Sequence, residues 1–185
     1  SSDPISQGQL AWSDRSITGI CRKSAQKSDY SFPNSIILPG LINTHCHLEL
    51  GMLKGKTQAN IPFTSWANAL KKLLSNYTSY DFQNAVNQGL QEALETGTTT
   101  LVDVGFSNAN IDSPHNHINL LSHKELIGMP PEAAQDIAQQ AITTIEQATP
   151  THLFSPGISA HAPFSCSIPL IKKVISYCHS QSKPF

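Results

Sequence analysis

Two histidines separated by a single residue are the strongest sign of chemistry in this sequence. His45 and His47 end a short apolar run that follows the turn dipeptide Pro39-Gly40. Because side chains alternate with a period of two in an extended strand, both imidazoles project to the same side, with Cα atoms about 6.6 Å apart. The pattern predicts that His45 and His47 bind a metal ion. The alternative is that they are two polar residues at the end of a strand.

The neighbours of this pair separate it from a chance match. A second His-x-His triplet, His115 to His117, lies in a polar stretch that predicts a solvated loop. Cys46 falls on the opposite side of the strand from the two imidazoles, which predicts a small packed hydrophobic residue and not a ligand.

Composition limits the classes of partner. The 185 residues include 12 basic and 13 acidic side chains, for a net charge of -1. This balance predicts a small-molecule partner and neither a nucleic-acid nor a membrane surface. The four cysteines form no Cys-x-x-Cys pair, and no long apolar run or signal peptide is visible, which favours reduced thiols in the cytoplasm.

The elements that position the histidines follow from the periodicity. Residues 1–39 suggest a small β unit with strands at 8–12, 16–22 and 35–38. After the histidines, predicted helices alternate with predicted strands, which indicates a parallel sheet with crossover connections. The helices are expected at 64–75, capped by Thr64, and at 79–95, 130–148 and 168–180; the strands are expected at 98–104, 118–127 and 156–163, with a further strand starting at 183.

Four such units are half of what a (β/α)8 barrel requires. The predicted fold class is therefore α/β: the first half of a TIM-type barrel over residues 40–185, truncated before strand five. Residues 1–39 would be part of a small β-sandwich domain.

Four segments carry a resemblance to a known family. Residues 38–49, 95–103, 125–128 and 161–167 resemble, in order and spacing, the amidohydrolase superfamily, in its cytosine-deaminase-like and chlorohydrolase-like branch. This branch includes the S-adenosylhomocysteine/methylthioadenosine deaminases. The sequence His47-Leu-Glu49 with a downstream Phe63-x-x-Trp66 is similar to aminodeoxyfutalosine deaminases.

The resemblance implies roles for several residues. His45 and His47 match the metal ligands of the first barrel strand, and His161 matches a substrate-facing histidine at the end of the fourth, where Phe164 replaces the usual tyrosine. Trp66 would wall the substrate pocket, or else belong to the core. Glu49 would bind a substrate hydroxyl, or else meet water. Asp103 and Glu125 are expected to be structural hydrogen-bond acceptors.

The same resemblance implies a function. It is that of a metal-dependent hydrolytic deaminase acting on the amidine-like C–N bond of a purine nucleoside-type or related heterocycle. The implied cofactor is one divalent metal ion, since residues 156–163 contain no lysine to bridge a second ion. Zn²⁺ is expected before Fe²⁺. In the family, the other metal ligands and the proton-shuttling glutamate lie on strands five to eight, outside these 185 residues. The fragment alone is therefore expected to be inactive.

Two alternatives remain open from the sequence. Within the enzyme class, the protein is a chlorohydrolase or a guanine deaminase. Outside it, the 185 residues are a non-catalytic half-barrel whose unpaired strand edges lead it to form a homodimer or to bind a partner.

Overall fold

The structure is a computed structural model that describes residues 3–22, 27–112 and 117–183. The chain divides into two units, Ser1–Pro39 and Gly40–Phe185. In the part of the chain that is described, no helix combines the length and apolar character that crossing a membrane requires.

The first unit contains one antiparallel hairpin. Strand β1 (Gly8–Ser13) pairs with β2 (Ser16–Arg22), and Asp14 takes a positive φ of 53° in the turn between them. These two strands confirm the predictions at 8–12 and 16–22. The strand expected at 35–38 is wrong: that segment has no ladder partner, and Ile36 is 85% exposed. That residues 1–39 belong to a β-sandwich stays a prediction.

The second unit is built on a four-stranded parallel sheet. Its strands are β3 (Leu41–Cys46), β4 (Thr98–Gly105), β5 (Asn119–Leu126) and β6 (Phe154–Ala160), in the spatial order β3-β4-β5-β6. Neighbours in sequence are thus neighbours in space, and all four carboxyl ends lie at one edge. The predicted α/β class with a partial barrel is confirmed.

Helices connect the strands. They are α1 (Phe63–Leu74), α2 (Ser79–Glu95), α3 (Ala109–Asp112), α4 (Ala134–Gln147) and α5 (Ile168–Ser180), with short 3-10 helices at Leu48–Leu53 and Pro131–Ala133.

Helix α2 begins and ends as predicted because Thr78 and Asp81 form a reciprocal capping box and Gly97 follows its end with φ +89°. The Thr64 cap is wrong: α1 starts one residue earlier, after Pro62, without a side-chain cap. Sequence patterns also missed α3 and the 3-10 helix Leu48–Leu53. The strand expected to begin at 183 falls mostly outside the described residues.

The core lies between the helices and the face of the sheet that they cover. One cluster joins α2 to β4 and β5 through Val86, Leu101 and Leu120. The other joins α4 and α5 to β5 and β6 through residues such as Ile158 and Leu170, both with no exposed surface. Burial of apolar side chains here holds the strands in the register that brings their carboxyl ends together.

We expect Ile158→Ala to lower the free energy of unfolding by about 2–5 kcal/mol, because it leaves a cavity in this layer. The matched control is Ile168→Ala at the start of α5, where the side chain is 68% exposed and the change should be within about 0.5 kcal/mol. Urea unfolding followed by circular dichroism measures both. Equal losses would contradict the placement of the core.

Candidate metal and substrate site

His45 and His47 come together at the carboxyl end of β3. Their Nε2 atoms are 3.2 Å apart, with the ring planes at 83°. Two nitrogens bound to one tetrahedral zinc at the usual Zn–N distance of about 2.0–2.1 Å lie about 3.3–3.4 Å apart. The pair therefore fits two positions of a zinc site. Among the described residues, no group of three or more His, Cys, Asp or Glu side chains is arranged to hold a metal ion.

A hydrogen bond across the sheet selects the tautomer of His47. Its Nδ1 lies 2.6 Å from the carbonyl oxygen of Val104, at the end of the neighbouring strand β4. Because a carbonyl only accepts, Nδ1 must carry the proton, and the lone pair of a neutral ring is on Nε2. Metal-binding histidines typically make this kind of contact, which orients the ring and leaves the other nitrogen free for the ion.

Cys46 points away from the imidazoles, as its position in the strand predicts. Its thiol lies near the Val102 carbonyl and 3.6 Å from Asp103 Oδ1. Burial, together with the charge of Asp103, raises the pKa of the Cys46 thiol to about 12. The residue is a packed thiol and has no part in the pair of ligands.

Asp103 is buried and binds backbone, as the sequence analysis expected. Its Oδ1 accepts a hydrogen bond from the Leu48 N–H at 2.7 Å. Burial raises the pKa of this carboxyl, and the Leu48 hydrogen bond opposes the rise. The interaction ties the residue after His47 to the end of β4.

The structure does not place Glu49 where a substrate would reach it. The side chain has no exposed surface, and its carboxylate accepts hydrogen bonds from the Phe106 and Ser107 N–H groups and from the Ser107 hydroxyl. The expected contact with a substrate hydroxyl does not match this burial. The sequence could not show it, because these partners lie 57 and 58 residues away along the chain.

His161 lies exposed just beyond β6. The backbone N–H of His161 donates to the Leu126 carbonyl. The ring Nδ1 is 2.6 Å from the Ser165 hydroxyl, and this hydroxyl donates its own hydrogen to the Ala162 carbonyl. The hydroxyl therefore accepts from the Nδ1–H of His161, and the Nε2 of the neutral ring keeps a lone pair.

A backbone contact fixes the loop that carries Ser165. Gly128 donates its N–H to the Ser165 carbonyl and accepts from the Ser167 N–H. A Cβ on Gly128 would come 2.5 Å from Ile137 Cδ1, so a larger residue there would require the Ile137 side chain to shift. These hydrogen bonds join the segments that follow the carboxyl ends of β5 and β6.

Trp66 belongs to a row of aromatic rings that ends at His161. Phe63 stacks on Trp66 with centroids 5.9 Å apart and meets Phe164 edge to face at 6.0 Å; Phe164 meets His161 at 5.6 Å. Phe63 and Phe164 are 60% and 65% exposed. The sequence analysis singled out Trp66 and His161 but missed Phe63 as the ring that connects them.

Glu125 is a further candidate that the sequence analysis favoured as structural. It pairs with Ser159 in the sheet, and alternation places it on the same face of the sheet as Ser159 and His161. Burial raises the pKa of its carboxyl, while His161 and His47 act in the opposite direction. A half-buried carboxyl group therefore lies within electrostatic reach of the histidines.

Comparison with known proteins agrees with this arrangement. The model of the amidohydrolase family matches residues 36–185. The chain belongs to the amidohydrolase family. The resemblance of its motifs to that family is thereby confirmed.

Individual deaminases are similar to this chain over much of its length. It is 27% identical over 146 residues to 5'-deoxyadenosine deaminase of Methanococcus aeolicus, a match covering 76% of this chain and 34% of the relative. It is 26% identical over 147 residues to 5-methylthioadenosine/S-adenosylhomocysteine deaminase of Carboxydothermus hydrogenoformans, covering 77% and 34%. The chain thus spans about a third of the length of these curated relatives.

A solved structure supports the fold. Atrazine chlorohydrolase of Arthrobacter aurescens, crystallised with zinc, matches with a TM-score of 0.69 at 14% identity, over 94% of this chain and 46% of that one. At this identity the match shows the barrel architecture alone.

We expect Cys46 to resist alkylation. At pH 8 iodoacetamide should modify the exposed Cys21 first, because Cys46 is half-buried and its pKa of about 12 leaves little thiolate. The alkylation rate of Cys46 should rise about tenfold per pH unit up to that pKa. Peptide mass spectrometry over a pH series measures both sites. Asp103→Asn should lower the Cys46 pKa only partly, since burial is the larger cause. Equal rates for Cys46 and Cys21 at pH 8 would contradict this environment.

Proposed function

We propose that this chain carries the first part of the active site of a metal-dependent hydrolytic deaminase. The proposed substrate is a planar heterocycle with an amidine-like C–N bond, such as the adenine ring of a nucleoside. The observation that carries the proposal is the convergence of the His45 and His47 Nε2 atoms, 3.2 Å apart, in a chain of the amidohydrolase family. The names of the deaminase relatives favour an adenine nucleoside.

His45 and His47 would hold the metal. Zinc is proposed first and ferrous iron second, since imidazole suits both. When bound, such an ion acts as a Lewis acid and lowers the pKa of a water molecule towards neutrality. The surrounding residues of this chain would hold the two imidazoles in a fixed orientation. The Val104 carbonyl does so for His47.

A catalytic zinc site needs at least three protein ligands, and the described residues bring two together. We propose that the remaining ligands and the proton-transferring carboxylate come from residues outside these 185. The length of the relatives, about three times the matched part, supports this view.

The aromatic row and two polar groups would hold the substrate. Phe63 and Phe164 present exposed rings against which a flat heterocycle can stack. His161 Nε2 and the Glu125 carboxylate would accept hydrogen bonds from ring or amino N–H groups. In the reaction water adds to the carbon that bears the amino group, the C–N bond breaks, and ammonia leaves.

A cytoplasmic location is part of the same proposal. It is supported by the four cysteines, which are all free thiols, the state that a reducing compartment favours.

A second candidate, self-association of a non-catalytic half-barrel, is favoured by one observation. Within the described parts of the chain, strand β3 has a single neighbour, and its Leu41 and Ile42 are 61% and 66% exposed. An open edge of this kind invites pairing with another strand.

We expect the polypeptide of the complete reading frame that contains these residues to bind one zinc ion per molecule in a competition titration with a chromophoric chelator, because His45 and His47 alone fall short of the three protein ligands that such a site needs. His45→Ala and His47→Ala should each weaken binding by more than the roughly 10–100-fold that loss of an outer-shell partner costs. His152→Ala, at an exposed histidine outside the site, is the matched control. Equal affinities for all four proteins would refute the metal site.

The activity test uses the polypeptide of the complete reading frame that contains these residues, loaded with zinc. We expect ammonia release from 5'-deoxyadenosine or 5'-methylthioadenosine and its loss in His47→Ala. Release of chloride from a chlorinated triazine, or of ammonia from guanine alone, would select the alternative enzymes. If the reading frame ends at residue 185 and the protein is an inactive dimer, the half-barrel hypothesis replaces this one.

A further inference from the structure

A buried carboxylate beside the histidine pair has no role in the mechanism described so far. We propose that Glu49 is a positioning residue that fixes the orientation of His47, and through it the affinity for the metal, by binding the loop that follows β4. This inference rests on the proposed metal site.

The contacts of Glu49 concentrate on two residues. Oε1 accepts from the Phe106 N–H at 2.5 Å, and Oε2 accepts from the Ser107 N–H at 3.1 Å and from the Ser107 hydroxyl. Three donors therefore converge on one carboxylate with no exposed surface. Charge-assisted hydrogen bonds of this kind are stronger than neutral ones.

A cation holds the same peptide from its other side. The Lys124 ammonium donates to the carbonyl oxygen of Phe106, and burial lowers the pKa of this lysine while Glu49 acts in the opposite direction. The N–H and the C=O of Phe106 are thus both bound by charged groups, one from the segment after β3 and one from β5.

Glu49 and Lys124 together form a clamp on residues 106 and 107. Three consecutive residues, from His47 to Glu49, connect the metal ligand to this clamp. His47 binds the Val104 carbonyl, Leu48 binds Asp103, and Glu49 binds Phe106 and Ser107. The 3-10 helix that holds Glu49 also begins on His47, whose carbonyl accepts from the Leu50 N–H. A shift of residues 106 and 107 relative to Glu49 would therefore change the distance between the His47 ring and its Val104 partner.

The chemistry of the clamp requires a carboxylate. A glutamine has one acceptor oxygen and would turn an NH₂ group towards the Phe106 or the Ser107 donors, leaving at least one of them unpaired in a buried site. Aspartate is one methylene shorter and would not reach both residues from the same backbone position.

The first measurement is made without metal. Histidine ring nitrogens in the ¹⁵N-labelled chain report which nitrogen carries the proton, and we expect wild-type His47 to be protonated at Nδ1. In Glu49→Gln we expect a mixture of tautomers for His47, while Glu132→Gln, at an exposed glutamate in the 3-10 helix Pro131–Ala133, should leave the spectrum unchanged.

The second measurement is the zinc affinity of the polypeptide of the complete reading frame. Glu49→Gln should weaken binding by about 10–100-fold, as for other outer-shell partners, and Ser107→Ala, which removes one of the three donors, by less. Urea unfolding of each variant separates this effect from general destabilisation. If Glu49→Gln does not fold, Ser107→Ala decides in its place.

The outcomes distinguish the two proposals. A folded Glu49→Gln variant that keeps the Nδ1 tautomer and wild-type zinc affinity would overturn the positioning role, even if it were less stable. If His47→Ala binds zinc as well as wild type does, the metal site fails instead. The tautomer of His47 in the glutamine variant would then still decide whether Glu49 orients that ring.

Discussion

The hydrogen bond between His47 Nδ1 and the Val104 carbonyl is the interaction on which the candidate site depends. It joins the carboxyl ends of adjacent strands, and it leaves the lone pair of a neutral His47 ring on the nitrogen that faces His45. The bond forms only if β3 and β4 are parallel and in the observed register, with Cys46 opposite Asp103. The orientation of the His47 ring therefore depends on the correct pairing of these two strands.

The polar contacts behind the site depend on the apolar layer between sheet and helices. Leu48 lies between His47 and Glu49 in sequence and packs into the cluster around Val86 and Leu90 of α2. Hydrophobic burial thus anchors the middle residue of the segment, while His47 bonds to the end of β4 and Glu49 bonds to the loop that follows it. The general driving force is non-directional, and the specific orientation comes from the buried acceptors, which are costly to leave unpaired.

The sequence predicted those parts of the molecule whose cause is local. Period-two alternation gave the shared face of His45 and His47, and the apolar spacing with Thr96-Gly97 gave the end of α2. The strand expected at 35–38 failed because β propensity cannot supply a ladder partner. The burial of Glu49 was not predictable, since it depends on N–H groups more than fifty residues away that only the folded sheet brings near. The contact of Phe63 with Phe164 was likewise not predictable, since the two rings lie about a hundred residues apart in the chain.

In the proposed substrate site, apolar aromatic rings and polar groups would have different functions. The ring row from Trp66 to Phe164 contains no hydroxyl group, because phenylalanine stands where the resemblance leads one to expect tyrosine. Stacking on such rings selects a flat ligand but tolerates many ring systems, since every aromatic ring has a π face. In the proposed function, orientation would come from polar groups such as His161 and Glu125, which lie on the same face of the sheet. Ser165 fixes the His161 ring, whereas Glu125 lies half-buried with a raised pKa on the strand between the histidines of β3 and the His161 loop. In the proposed function, a carboxyl group in that position would distinguish ligands by the N–H donors they present, and amino-heterocycles differ from their hydrolysed products in the arrangement of these donors.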